Sequence, residues 1–164
     1  MKLLELIIAF FIVLISVILM ALIYFDLISV GFVIGSYRFN HWAVIIGAFY
    51  IAIITPVFVL IKRSKPGSLR NLLKFHVFGN LLAFLLISVH FAGQLSRPLE
   101  FYPNLGTGVG LYIAMSVLVF TGFFLRFSLV AGEYRKGLRI VHILAVLSFY
   151  IVIIFHVLHG FGYI

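Results

Sequence analysis

The sequence predicts an all-α integral membrane protein with five transmembrane helices, and three observations carry that prediction. Of 164 residues, 65% are hydrophobic and 10% charged, where a soluble domain is nearer half apolar and a quarter charged. The apolar residues fall into five stretches of about the ~20 residues that a helix needs to cross a bilayer. The cations sit in short connections beside those stretches, where orientation signals and headgroup contacts belong.

The first segment runs from about Leu6 to Phe25 and closes on Asp26. Leu27 to Gly35 is apolar again, but one helix from Leu3 to Gly35 would be about 50 Å long at 1.5 Å per residue. The membrane exit is therefore placed near Asp26. A cleaved leader is the rival for this segment; its apolar stretch is too long and no Ala-x-Ala site closes it. The second segment spans Trp42 to Ile61, the third Phe75 to Leu95, the fourth Val109 to Leu125 and the fifth Ile140 to Phe161. Pro66-Gly67-Ser68 predicts a turn followed by an N-cap for the third helix, and Pro98 and Pro103 mark the next connection. Gly106-Thr107-Gly108-Val109-Gly110 is loosely like a phosphate loop. It lacks the following Lys-Ser/Thr and a preceding strand, and is read as the start of the fourth helix. Residues 1–164 are expected to form a single transmembrane domain.

Twelve Lys and Arg against four acids give a net charge of +8. In a soluble protein that would point to nucleic acid; beside membrane spans it reads as topology, and no nucleic-acid partner is expected. Lys62, Arg63, Lys65, Arg70 and Lys74 crowd one loop, and Arg126, Arg135, Lys136 and Arg139 another, while the opposite loops offer Arg38 and Arg97. The positive-inside rule then puts the N-terminus inside and the C-terminus outside a multi-pass protein, expected in the cell (plasma) membrane. There is no cysteine, which excludes disulfides, iron–sulfur clusters, thiolate metal sites and haem attached through Cys-x-x-Cys-His.

Six histidines are present, and four recur at one interval. His76 and His90 lie 14 residues apart on the third segment, His142 and His156 14 apart on the fifth. Fourteen steps of 100° fall within about 40° of whole turns, so each pair shares a helix face, its members about 21 Å apart in depth. The third and fifth helices run parallel, which puts His76 level with His142 on the inner side and His90 level with His156 on the outer side. Two opposed imidazoles are the ligand set of a six-coordinate haem iron. Zinc would take more ligands, and the acids Glu5, Asp26, Glu100 and Glu133 all map to segment ends or loops.

The small residues follow the histidines in phase. Gly79 and Gly93 come three residues after His76 and His90, Ala145 three after His142 and Gly160 four after His156. A flat macrocycle against a helix needs such a gap, although small residues also serve close helix packing. His159, one turn beyond His156, is the alternative ligand at that level, and His41 adjoins Trp42 at the outer interface. Lys74, Arg70, Arg139 and Arg126 on the inner side, with Arg38 and Arg97 on the outer, could meet haem propionates or, equally, lipid phosphate.

Histidines paired at 14 residues on two helices that flank a third resemble the di-haem four-helix bundle of the cytochrome b of quinol–cytochrome c reductases. They also resemble the ferric-reductase-like transmembrane domains, including NADPH oxidases, which carry their ligands on the third and fifth helices. The resemblance covers about Trp42 to Phe161. It implies two non-covalent b haems held by His76 with His142 and His90 with His156, in a bundle of helices two to five with the first helix peripheral. It further implies an electron-carrying subunit working with redox partner subunits or a quinone in the lipid bilayer. The chain departs from these families in lacking a sixth helix, a flavin- or nicotinamide-binding domain and the Pro-Glu-Trp-Tyr quinol motif. A haem-free transporter or proton path through the same histidines, and a non-conducting anchor subunit, are the alternatives.

Overall fold

The computed structural model describes residues 2–64, 69–100, 105–160 and 162–163, with the backbone alone for Lys2, Arg63, Leu69 and Arg70. The Pro66-Gly67-Ser68 turn, Pro103 and the Arg70 side chain lie outside the described residues. Among the described residues five helices form: α1 (Lys2–Tyr24), α2 (Phe39–Ser64), α3 (Leu69–Leu95), α4 (Gly106–Phe127) and α5 (Gly132–Gly160). All five are long and apolar enough to cross a membrane, so the expectation of an all-α, multi-pass membrane protein holds. Most helices outrun their apolar segments because the hydrogen-bond ladder continues past the last apolar residue into the flanking polar sequence. The chain packs as two compact units, Met1–Ser96 and Arg97–Ile164.

In the first unit α3 packs against both α1 and α2. Its buried residues Leu81, Ala83, Phe84, Ile87, Ser88, Val89 and Ala92 face those neighbours. α1, which the sequence leaves peripheral, is thus part of this unit's core. Ile23 of α1 clusters with Val89 and Ala92, while Glu5 at the other end of α1 pairs with Lys74 of α3 at 3.2 Å. Parallel helices in one register account for both contacts.

α1 stops at Asp26. This residue takes φ 57°, its N–H bonds Ile23 O at 3.0 Å, and the N–H of Leu27 returns to Leu22 O at 2.8 Å. Those two bonds are a Schellman cap, which satisfies the last carbonyls and needs a left-handed residue that Asp tolerates. The chain then forms a small hairpin that the sequence did not announce: β1 (Val33–Ile34) pairs antiparallel with β2 (Tyr37–Arg38). Gly35 occupies the first loop position at φ 61°, where tight hairpin turns require positive φ. Trp42 Nε1 donates to Ile34 O at 2.9 Å and its ring meets Tyr37 edge-on.

α2 and α3 approach closely at two glycines. A Cβ on Gly47 would stand 3.0 Å from Ala83 O, and one on Gly79 would enter the ring of Tyr50. The Tyr50 hydroxyl donates to Phe75 O at 2.7 Å, which locks the ring in that notch.

The second unit is an antiparallel hairpin of α4 and α5. Leu111, Met115, Val119 and Thr121 are the buried face of α4, and Ala145 and Phe149 that of α5. Ser128, at φ 56°, ends α4. Arg135 of α5 donates from Nη2 to Leu125 O at 3.2 Å and from Nη1 to Ser128 Oγ at 3.4 Å. A cation there answers the negative end of the α4 dipole.

Gly79→Ala is expected to destabilise the first unit by about 1–3 kcal/mol, the ordinary cost of overpacking. Thermal unfolding in detergent should recover much of that loss when Tyr50→Ala is added. A Gly79→Ala protein as stable as the wild type would contradict the Tyr50 packing.

Candidate functional site

The four spaced histidines fall two to a unit. In the first unit both lie on α3, half-buried. His90 Nδ1 lies 3.2 Å from the main-chain oxygen of Asn40, at the start of α2. A carbonyl only accepts, so Nδ1 carries the hydrogen and Nε2 the lone pair. The His41 ring stands edge-on to His90, centroids 5.5 Å apart.

His76 Nδ1 lies 3.3 Å from Asn80 Nδ2, one turn along α3. The buried Asn80 Oδ1 has no hydrogen-bond partner among the described residues. Amide oxygen and nitrogen are isosteric, so a half-turn of this side chain satisfies Oδ1 with a proton from His76 Nδ1. Phe58 of α2 stacks on the imidazole at 4.5 Å and 20°.

The glycines expected to leave flat gaps beside these ligands are taken by neighbouring side chains. Tyr50 covers Gly79, while Asn40 Nδ2 would be 2.9 Å and Val30 Cγ2 3.5 Å from a Cβ at Gly93. Within this unit both glycines therefore serve close packing of α3 against its neighbours. Asn40 is 4% exposed and its Oδ1 has no hydrogen-bond partner among the described residues.

In the second unit the arrangement is more regular. His142 Nδ1 lies 2.8 Å from Thr121 Oγ1, and His156 Nδ1 lies 3.1 Å from Thr107 Oγ1. Each threonine is followed by glycine. A Cβ on Gly122 would stand 3.3 Å from His142 Cε1, and one on Gly108 would stand 3.3 Å from His156 Cε1. Both the threonines and the histidines are 14 residues apart. In antiparallel helices, stepping back along α4 while stepping forward along α5 carries one contact onto the other, about 21 Å away.

The Thr121 hydroxyl lies 2.6 Å from Val117 O and 3.2 Å from Leu118 O, to which it donates. It meets His142 with a lone pair, so here too Nδ1 carries the hydrogen and Nε2 is the Lewis base.

His156 is half-buried against α4, whereas His159 is exposed at the end of α5. Ala145 is buried, and Gly160 has open space around it. Of the candidate propionate contacts, Lys74 is already paired with Glu5. Arg38 lies exposed on β2, Arg97 half-buried just after α3, and Arg126 and Arg139 on α4 and α5. Among the described residues no group of three or more His, Cys, Asp or Glu is placed to hold a metal ion.

Sequence reasoning missed Thr107, Gly108, Thr121, Gly122, Asn40 and Asn80. For the α4 residues a signal was available: the chain has three threonines, and two head a Thr-Gly pair at the histidine interval.

Comparison with protein-family models, with curated proteins and with solved structures gives no match to this chain.

Proposed function

We propose that the protein carries electrons across a membrane through two bis-histidine b haems, as the cytochrome b subunit of a larger redox complex. One observation carries this reading: each of the four spaced histidines has Nδ1 within hydrogen-bond distance of a fixed neighbour. A histidine that ligates a metal through Nε2 almost always gives Nδ1–H to such a partner, which fixes its ring and raises its basicity. The donor set suits haem, whose iron takes one imidazole on each axial side and whose potential follows ligation and burial.

The 14-residue register assigns His76 with His142 to the inner level and His90 with His156 to the outer. Bound there, haem supplies a one-electron iron couple at each level. The protein's share is to present Nε2, to orient each ring through Nδ1 and to keep water away with apolar helices. Arg38, Arg97, Lys74 and Arg139 neutralise propionates at the two surfaces, Lys74 after release from Glu5. Cation-rich connections are cytoplasmic, in the cell membrane, and the donor or acceptor is a partner subunit or a quinone.

Purified protein is expected to show Soret and α bands that sharpen on dithionite reduction, with two haems per chain. A colourless protein would point instead to a haem-free proton path. Replacing His76 or His142 by Ala should remove one haem, and replacing His90 or His156 the other. If every single variant stays folded yet loses both haems, the two-level pairing is wrong.

Because the chain has no cysteine, orientation can be read with single-cysteine reporters. Ser36→Cys should react with a membrane-impermeant maleimide on intact cells, and Ala131→Cys only after lysis. The opposite pattern would invert the topology.

A further inference from the structure

Threonine is scarce in this chain, and its placement is specific. Of three threonines, Thr107 and Thr121 lie 14 residues apart on α4 and each precedes a glycine. Each reaches Nδ1 of one α5 histidine, at 3.1 Å and 2.8 Å. A hydroxyl in an apolar helix commonly back-bonds to its own preceding turn, as Thr121 does to Val117 O at 2.6 Å. That bond uses the hydroxyl hydrogen and leaves a lone pair facing His142. The adjoining glycine gives clearance for the ring's Cε1 edge, 3.3 Å from where a Cβ would stand at either level. An acceptor for Nδ1 and a gap for Cε1, side by side, are what the edge of an imidazole needs. Helix packing would account for the glycines and back-bonding for the Thr121 hydroxyl, but neither accounts for two hydroxyls at the histidine interval, each beside an Nδ1.

We propose that Thr121 and Thr107 are positioning residues that hold His142 and His156 by Nδ1, so that Nε2 is the nitrogen offered to haem iron. This assignment rests on the di-haem reading above. It predicts that the α5 ligands have adjustable potentials. A hydrogen bond from Nδ1 makes imidazole a stronger electron donor and favours the ferric state, so each threonine, in accepting that bond, lowers the potential of one haem. On α3, His90 leans on a main-chain oxygen, which no substitution at Asn40 removes.

The test compares Thr121→Val and Thr107→Val, which keep the branched shape and delete the hydroxyl, with the corresponding Ser variants, which restore it. Haem per chain and redox titrations followed in the α band are read in detergent. Thr121→Val should raise one of the two midpoint potentials and leave the other in place; Thr107→Val should raise the other. Both Ser variants should return to wild-type values. Loss of a single haem in a Val variant, recovered with Ser, supports the same assignment. Val variants that hold two haems and titrate as the wild type overturn it, and so does loss of both haems that Ser fails to restore. A wild-type protein without a Soret band overturns the haem reading first, which separates the two failures.

Discussion

Hydrocarbon supplies no hydrogen-bond partner, so the polar groups within these helices turn to the protein itself for one. The serines follow the simplest course. Ser16, Ser88 and Ser116 each donate to the carbonyl four residues earlier, at 2.8 Å. An imidazole is harder to place because it has two nitrogens on opposite edges and cannot turn both to its own helix. His76 turns Nδ1 to Asn80 on its own helix, while His90, His142 and His156 reach the neighbouring one. That need ties His90, His142 and His156 to one register of helix packing.

The interval of 14 residues gives the constraint its reach. It is close to four helical turns, so a contact that works at one depth works again at a second depth with the same residue types. α4 and α5 apply this literally, with Thr-Gly against histidine twice. In the first unit the two levels differ: a stacked phenylalanine and an asparagine serve His76, and a peptide oxygen and a second imidazole serve His90. α3 packs against α1 as well as α2, so its surroundings are set by two partners at once. α5 answers to α4 alone within its unit, and a repeated motif is enough.

The five helices were legible because length and apolarity determine a membrane span with little help from tertiary context. The hairpin at Val33–Arg38 was hidden within an apolar run, since two residues per strand leave no alternation to detect. Gly79 and Gly93 were visible as notches one turn from a histidine. What fills a notch depends on which helix lies across it, and only the packed unit identifies Tyr50 and Asn40 as the occupants. The Thr-Gly repeat was present in the sequence all along. It escapes notice because Thr107 sits at a helix start rich in glycine, where a loop explains every residue, while Thr121 sits mid-helix, where back-bonding does. Only the shared interval connects them.

The two modes of holding a histidine also differ as chemistry. A peptide oxygen in a helix already accepts along its own ladder, and its strength is set by the backbone. A threonine hydroxyl that donates to a carbonyl is polarised by that donation and becomes a better acceptor in turn, because hydrogen bonds in series strengthen one another at low dielectric. Thr121, bonded both to Val117 O and to His142, is the middle link of such a series: peptide oxygen, hydroxyl, imidazole. Electron density is passed along it toward Nε2, the ring's other nitrogen. A side chain at the middle link can be substituted while the fold stands, whereas a peptide oxygen cannot. His142 and His156, like His76 on Asn80, are thus held through side chains that the sequence is free to change, whereas His90 is not.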